Sequence, residues 1–178
     1  SGETLSSRAA RTVRVDGVNA KSSGVLAAHR MLWLTPAMDG LFTGPAGERR
    51  RFIDRLVLSL DPDYAAAVSV FDRAMRQRNK ALETFAAAVI VESLEEQMAS
   101  AGSSMAALRV RAFHDLQQSI DATRDRAPSA FPWASLALEG VLEARIAANQ
   151  AVPLEKWYAD QLAYGRERDR AAGRTLVG

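Results

Sequence analysis

The chain has 178 residues, 48% of them apolar and 25% charged, with no cysteine and a formal net charge of +2. Such totals fit one globular domain, or a domain with an appendage, large enough to bury a sizeable core. They exclude disulfides and thiolate metal sites, and no apolar run approaches the roughly 20 residues of a membrane-spanning helix.

Taken in order, residues 1–10 are small and polar. Arg11 to Asp16 alternates, with Val13 and Val15 on one side and Thr12 and Arg14 on the other, which predicts a half-buried strand. Asp16-Gly17 is a turn signal, and Val18-Asn19-Ala20 can return as a second strand. Ser22-Ser23-Gly24 reads as a helix start for Val25 to His29. The apolar run Met31 to Leu34, closed by Thr35-Pro36, reads as a buried strand.

Helices dominate from Ala37 onward. After Gly44-Pro45, the spacing of Phe52, Ile53, Leu56, Val57 and Leu60 predicts a helix over 46–60. Asp61-Pro62-Asp63 ends it and caps the next, which runs to Thr84 and buries Tyr64, Ala67, Val68, Phe71 and Met75. Two further helices are predicted over 86–101, with Val89, Ile90, Leu94 and Met98 inward, and from Ser103 to about Ala127. Gly102 is read as the C-cap of the first, making an antiparallel hairpin. Pro128 to Pro132 is a break. The alternation from Trp133 to Glu139 leaves helix and strand open, and 140–149 is helix or loop. A last helix spans 154–172 with Trp157, Leu162 and Tyr164 inward. Gly173 caps it, and Thr175 begins a strand.

Several motifs coincide with one family. Leu34-Thr35-Pro36, Leu41-Phe42, Gly44-Pro45, Arg49-Arg50-Arg51-Phe52-Ile53-Asp54, Leu60-Asp61-Pro62 and Arg76-Gln77-Arg78-Asn79 together resemble the middle of RecF, the bacterial recombination-mediator ATPase of the SMC-like ABC class. The most specific pairing is Arg-Arg-x-Phe-Ile-Asp followed in the next helix by Gln-Arg-Asn. Thr12 to Gly17 is similar to a strand late in the RecF head, and Arg168-Asp169 through Gly178 to the run before that family's Gly-Pro-His segment. The sequence departs from the family over 84–101, an Ala-rich helix where a loop is expected.

The resemblance implies an α+β fold: a mainly helical lobe inserted into part of an ABC/SMC-like P-loop ATPase head. Residues 1–45 would be partial head strands, 46–130 the lobe and 131–178 the return to the head, with Trp133 to Glu139 as a strand rejoining it. It implies that the intact protein binds ATP and Mg²⁺ and dimerises on ATP. It further implies binding to gapped DNA or single-/double-strand junctions, and work with RecO and RecR to place RecA on single-stranded DNA. The setting would be recombinational repair, replication restart and the SOS response, in the cytoplasm at the nucleoid and away from membranes. The chain itself lacks G-x-x-x-x-G-K-[S/T] and an apolar strand ending in paired Asp residues, so it is expected neither to bind nor to hydrolyse ATP alone.

No catalytic or metal-ligating residue stands out; His29 and His114 are isolated. Two basic clusters carry the functional signal. Arg49, Arg50 and Arg51 sit in the first turn of a helix, against its dipole, so an anionic partner would relieve them. They read either as solvated and paired with Glu48, Asp54 or Asp39, or as contacts to phosphate or to the nucleotide head. Asp54 reads as a structural ion-pair partner of one of them. Arg76, Arg78 and Lys80 read either as a solvated helix face or as contacts to the DNA backbone. Trp33, Trp133 and Trp157 read as core. The competing functional reading is a helical protein-interaction module without nucleic-acid binding. A free-standing enzyme is disfavoured because no nucleophile–base pair is present.

Overall fold

Gly17 turns the chain first. Its φ of +81° closes a hairpin between β1 (Val13–Val15) and β2 (Val18–Ala20), antiparallel with Val15 opposite Val18. Arg14 faces Asn19 across the pair and donates from Nε to its Oδ1 at 3.1 Å. The structure is a computed structural model that describes residues 13–15, 17–20, 40–41, 43–127, 130–149 and 151–176. The helix expected over 22–29 and the strand expected over 31–34 lie outside the described residues. Chain contacts separate residues 1–39 from 40–178.

The second unit is helical. A turn in which Thr43 and Gly44 donate to the Gly40 carbonyl leads into Pro45, whose fixed φ starts α1 (Ala46–Leu60). The bounds match the sequence expectation, and Val57 is fully buried with Ile53 and Leu60 beside it. Asp61 closes α1 by donating its N–H to the Val57 carbonyl. Its side chain then accepts from the Asp63 amide at 3.0 Å as α2 (Asp63–Glu83) begins. The stripe on α2 follows the expected spacing: Tyr64 is buried, Val68, Phe71 and Met75 are half-buried, and Ala74, Ala81 and Leu82 are buried.

The expected hairpin of two helices does not form. A single 39-residue helix, α3 (Ala88–Arg126), runs through Gly102. Mid-helix glycine costs about 1 kcal/mol against alanine, so it needs a reason. The reason is tertiary: a Cβ at Gly102 would lie 2.7 Å from Tyr158 Cε1 and 3.3 Å from Phe71 Cε2. Glycine allows a buried tyrosine ring to sit directly on the helix. The stripe differs as well. Val89 and Ile90 are 69% and 50% exposed, whereas Val91, Leu94, Met98, Ala101 and Met105 are buried. Glu95, Ala99, Gly102 and Ala106 form a second buried line, because α3 is covered by α2 on one side and by the helices that follow it on the other.

The segment expected to rejoin a sheet contains no strand among its described residues. Trp133 to Glu139 is neither helix nor strand, and it is tied to α3 by the Leu136 amide donating to Gln117 Oε1 at 2.9 Å. Helices α4 (Val141–Ala147), α5 (Leu154–Tyr164) and α6 (Arg166–Ala172) follow. The single helix expected over 154–172 is thus interrupted at Gly165. Leu162 is buried and Trp157 half-buried as expected, but Tyr164 is 90% exposed and Tyr158 takes the inward position. Gly173, at φ +65°, ends α6 as expected: its amide donates to the Arg170 carbonyl and the Arg174 amide to that of Asp169, a Schellman closure. Thr175 and Leu176 form no strand.

Three apolar clusters lie in succession along α3. Val91 and Leu94 meet Ala81 and Leu82; Met98, Ala99 and Ala106 meet Ala74, Leu142, Tyr158 and Leu162; Met105 and Ala112 meet Val57 and Tyr64. Replacing Gly102 with alanine should destabilise the protein by about 1–2 kcal/mol, since overpacking against a fixed ring exceeds the gain of about 1 kcal/mol in helix propensity. Urea unfolding checks this, and an unchanged or raised midpoint would mean that the Tyr158 ring shifts freely.

Candidate functional site

The arginine-headed start of α1 is half committed to local contacts. Arg49 is half-buried and donates from Nη1 to the Gly44 carbonyl at 2.8 Å, bracing the turn before the helix. Arg51 pairs with Glu48 at 2.6 Å on the exposed surface, where such pairs contribute under about 1 kcal/mol. Arg50 and Arg55 are exposed.

Asp54 is an ion-pair residue, but its partner is not one of these arginines. It accepts from Arg109 Nη2 at 2.6 Å and from the Tyr64 hydroxyl at 2.5 Å. Arg109 also donates from Nε to the Tyr64 oxygen at 2.7 Å and from Nη1 to Glu143 Oε1 at 3.0 Å. One half-buried guanidinium therefore joins α1, α2, α3 and α4. Burial and the Asp54 carboxylate raise the Tyr64 phenol far above its ordinary value, so it stays a neutral donor. Burial works against the Arg109 charge, but Asp54 outweighs it and holds the guanidinium protonated.

Arg78 requires the largest correction. Expected on a solvated or DNA-facing surface, it is 0% exposed, so it has no surface to offer a phosphate. Nε donates to Glu95 Oε1 at 3.0 Å, Nη2 to the Leu162 carbonyl at 2.7 Å, and Nη1 to Asp169 Oδ2 at 2.8 Å and Thr175 Oγ1 at 3.1 Å. Glu95 also receives Arg166 Nη2 at 2.6 Å. Two arginines thus face two buried carboxylates, and the core stays near neutrality. The Leu162 carbonyl lies in the last turn of α5, where helix carbonyls need outside donors. Asn79, the next residue of the Gln-Arg-Asn run, accepts from the Thr175 hydroxyl at 2.8 Å. The sequence did carry a signal for this burial. Arg78 falls four residues after Ala74 and four before Leu82, inside the apolar stripe, and Glu95 sits beside Leu94.

Of the second cluster, Arg76 and Lys80 are exposed, with Arg73 on the same outer face of α2. Lys80 pairs with Glu83 at 3.0 Å, whereas Arg73 and Arg76 have no ion pair among the described residues. Beside this face an open groove runs between α2 and α3, floored by Ala81, Ala86 and Leu94 and edged by Val89 and Ile90. Trp133 is half-buried, and Trp157 is half-buried beneath Arg145, whose guanidinium stands 4.2 Å from the ring centre. Trp33 lies outside the described residues. Among the described residues no cluster of His, Asp and Glu could hold a metal ion, and no helix is long and apolar enough to cross a membrane.

No protein-family model matches the chain. Curated relatives do. The DNA replication and repair protein RecF of Rhizobium johnstonii is 48% identical over 179 residues, covering 99% of this chain and 47% of the relative. RecF of Allorhizobium ampelinum is 47% identical over 178 residues, again 99% of this chain and 47% of the relative. RecF of Rhizobium meliloti is 48% identical over 170 residues, 94% and 45%. The chain spans about half the length of the curated relatives it matches. Among solved structures, the recombination mediator protein RecF with ATP, of the RecFOR pathway, aligns with a TM-score of 0.63 at 18% identity, over 94% of this chain and 45% of that one. That likeness concerns the fold. The described architecture is mainly helical, in agreement with part of the expectation.

Arg78→Met should cost about 3–5 kcal/mol, because it leaves the buried Asp169 carboxylate without its cation and takes from Glu95 one of its two, whereas Lys80→Met on the same helix should stay within about 0.5 kcal/mol. Urea denaturation of both variants checks the contrast; equal effects would contradict the burial of Arg78. Burial also pushes the Tyr158 phenol up to about 12, with Arg78 opposing and Asp169 adding to the shift. A folded-state value above the unfolded value of about 10 gives stability that is complete below pH 10 and lost as pH rises toward 12. The unfolding midpoint should therefore fall across that window, and Tyr158→Phe should lessen the decline, leaving the part due to the raised Tyr64 phenol.

Proposed function

We propose that this chain, RecF-like in sequence over nearly its whole length, is the central portion of a longer recombination mediator of that family. The observation that carries the reading is the 48% identity sustained across 99% of the chain. The intact protein would bind ATP and Mg²⁺ through segments on either side of this portion, since the P-loop and acidic strand are not among these residues. It would dimerise on ATP, engage gapped or junction DNA, and act with RecO and RecR to place RecA on single strands, in the cytoplasm at the nucleoid. This portion would be the helical lobe, inserted into the ATPase head, that shapes one wall of the DNA-facing cleft.

The exposed cations suit that role. Arg50, Arg51, Arg76 and Lys80 reach solvent, and Arg73 extends the same face of α2. Phosphate binding of this kind is sequence-tolerant and salt-dependent. Arg49 and Arg78 serve differently, as the internal braces of the lobe, and Asp54 helps to hold α1 in place. The second reading, a protein-interaction module, draws support from the exposed Phe85, Val89 and Ile90 at the α2–α3 turn and from the groove beside them.

The test is DNA binding by the full-length protein across a salt series. Arg50→Ala with Arg51→Ala, and separately Arg76→Ala with Lys80→Ala, should weaken binding to junction DNA alike for all sequences. Each should also flatten the plot of log affinity against log salt, by about one for every phosphate that the protein no longer neutralises. Unchanged affinity and slope in both variants would remove the DNA role and favour the protein-interaction reading.

A further inference from the structure

Thr175 stands two residues beyond the glycine that ends α6, where a chain is ordinarily free to fray. Here it is held on every side. Its hydroxyl accepts from Arg78 Nη1 at 3.1 Å and donates to Asn79 Oδ1 at 2.8 Å, so it serves as acceptor and donor at once. The next amide, Leu176 N–H, donates to Asp169 Oδ1 at 3.0 Å, while Oδ2 of the same carboxylate receives Arg78 at 2.8 Å. The Arg174 amide completes the set on the Asp169 carbonyl at 3.1 Å.

Two consecutive residues of α2, Arg78 and Asn79, therefore grip the chain as it leaves α6, with Asp169 bridging them to the backbone. Stability alone does not demand this. Arg78 is already met by Glu95, Asp169 and the Leu162 carbonyl without the hydroxyl. Asn79 is only half-buried, so water could satisfy its amide. What the extra hydrogen bonds fix is the direction in which the backbone departs from the lobe.

We propose that Arg78, Asn79, Asp169 and Thr175 form a clamp that transmits force between the lobe and the chain that follows Leu176. They are positioning residues for the ATP-dependent step and touch neither nucleotide nor DNA. The proposal rests on the reading of this portion as the lobe of an ATP-driven mediator. A displacement of the following chain by the nucleotide-binding part then reaches α2, and with it the exposed face of Arg73, Arg76 and Lys80, through side-chain hydrogen bonds instead of a slack linker. The hydrogen bonds among Arg78, Asn79, Asp169, Thr175 and the Leu176 amide form one contiguous network, which can carry such coupling.

The test uses the full-length protein and compares Thr175→Val, which keeps the shape and removes the hydroxyl, with Thr175→Ser, which keeps the hydroxyl. Three quantities are read: the urea midpoint, hydrogen exchange at the Leu176 amide, and the ratio of junction-DNA affinities with and without ATP. In Thr175→Val the midpoint should stay near wild type, the Leu176 amide should lose protection, and the ATP-dependent gain should fall about fivefold or more. Thr175→Ser should restore both. An undiminished ATP-dependent gain in Thr175→Val overturns the clamp, as does a fall in midpoint comparable to that of Arg78→Met, which would make Thr175 merely structural. Absence of any ATP-dependent gain in the wild type would instead overturn the functional reading beneath it, so the two failures are separable. Asn79→Ala, which removes the same bond from the other side, should reproduce Thr175→Val.

Discussion

A guanidinium sealed from water governs this helical unit. Removing a charge from solvent costs several kcal/mol unless opposite charges and well-directed acceptors meet it, and Arg78 is met on all sides. Its acceptors come from α3, the end of α5 and α6, segments far apart in sequence. They must converge on one point of α2, and this requirement sets where the C-terminal helices dock. Apolar burial alone would tolerate sliding along α3, because alanine-rich surfaces are smooth. The directionality of the charged hydrogen bonds removes that freedom.

Arg109 repeats the device further along α3, tying Asp54, Tyr64 and Glu143 together. Gly102 lies between the two nodes, where the Tyr158 ring rests against the helix axis. The 39-residue helix thus carries alternating polar and apolar fastenings along its length: an ion-pair node, a tight aromatic contact, then a second ion-pair node. This explains how a helical unit with few aromatic residues is held in one arrangement, with alanine bringing the helices close and arginine fixing their register.

The division of labour among the basic residues follows from the same geometry. Arginine is suited to internal nodes because its planar fork offers several donors in fixed directions, which a lysine ammonium cannot match. On α2 the cations left at the surface are Arg73, Arg76 and Lys80, three and four residues apart on one outer face. A cluster that reads as uniform in sequence, Arg73 to Lys80, is in fact two populations, one structural and one available to an anionic partner.

Local chemistry is legible in the sequence. The turn at Gly17, the bounds of α1, the Asp61 cap of α2 and the Gly173 closure of α6 each depend on residues adjacent in the chain, and each is present. The RecF-like motifs are likewise written in the chain. The fate of Gly102 is not, because glycine ends a helix or permits a close crossing depending on whether a distant ring, here Tyr158, arrives at that spot. Nor are the partners of Asp54 and Arg78, since a charged side chain one turn from another carboxylate or arginine has several candidates, and only the packing of α3, α4 and α6 selects among them. Backbone propensity and capping act over a few residues and are therefore fixed by sequence order. Burial of charge is decided by which surfaces meet, and that belongs to the tertiary structure.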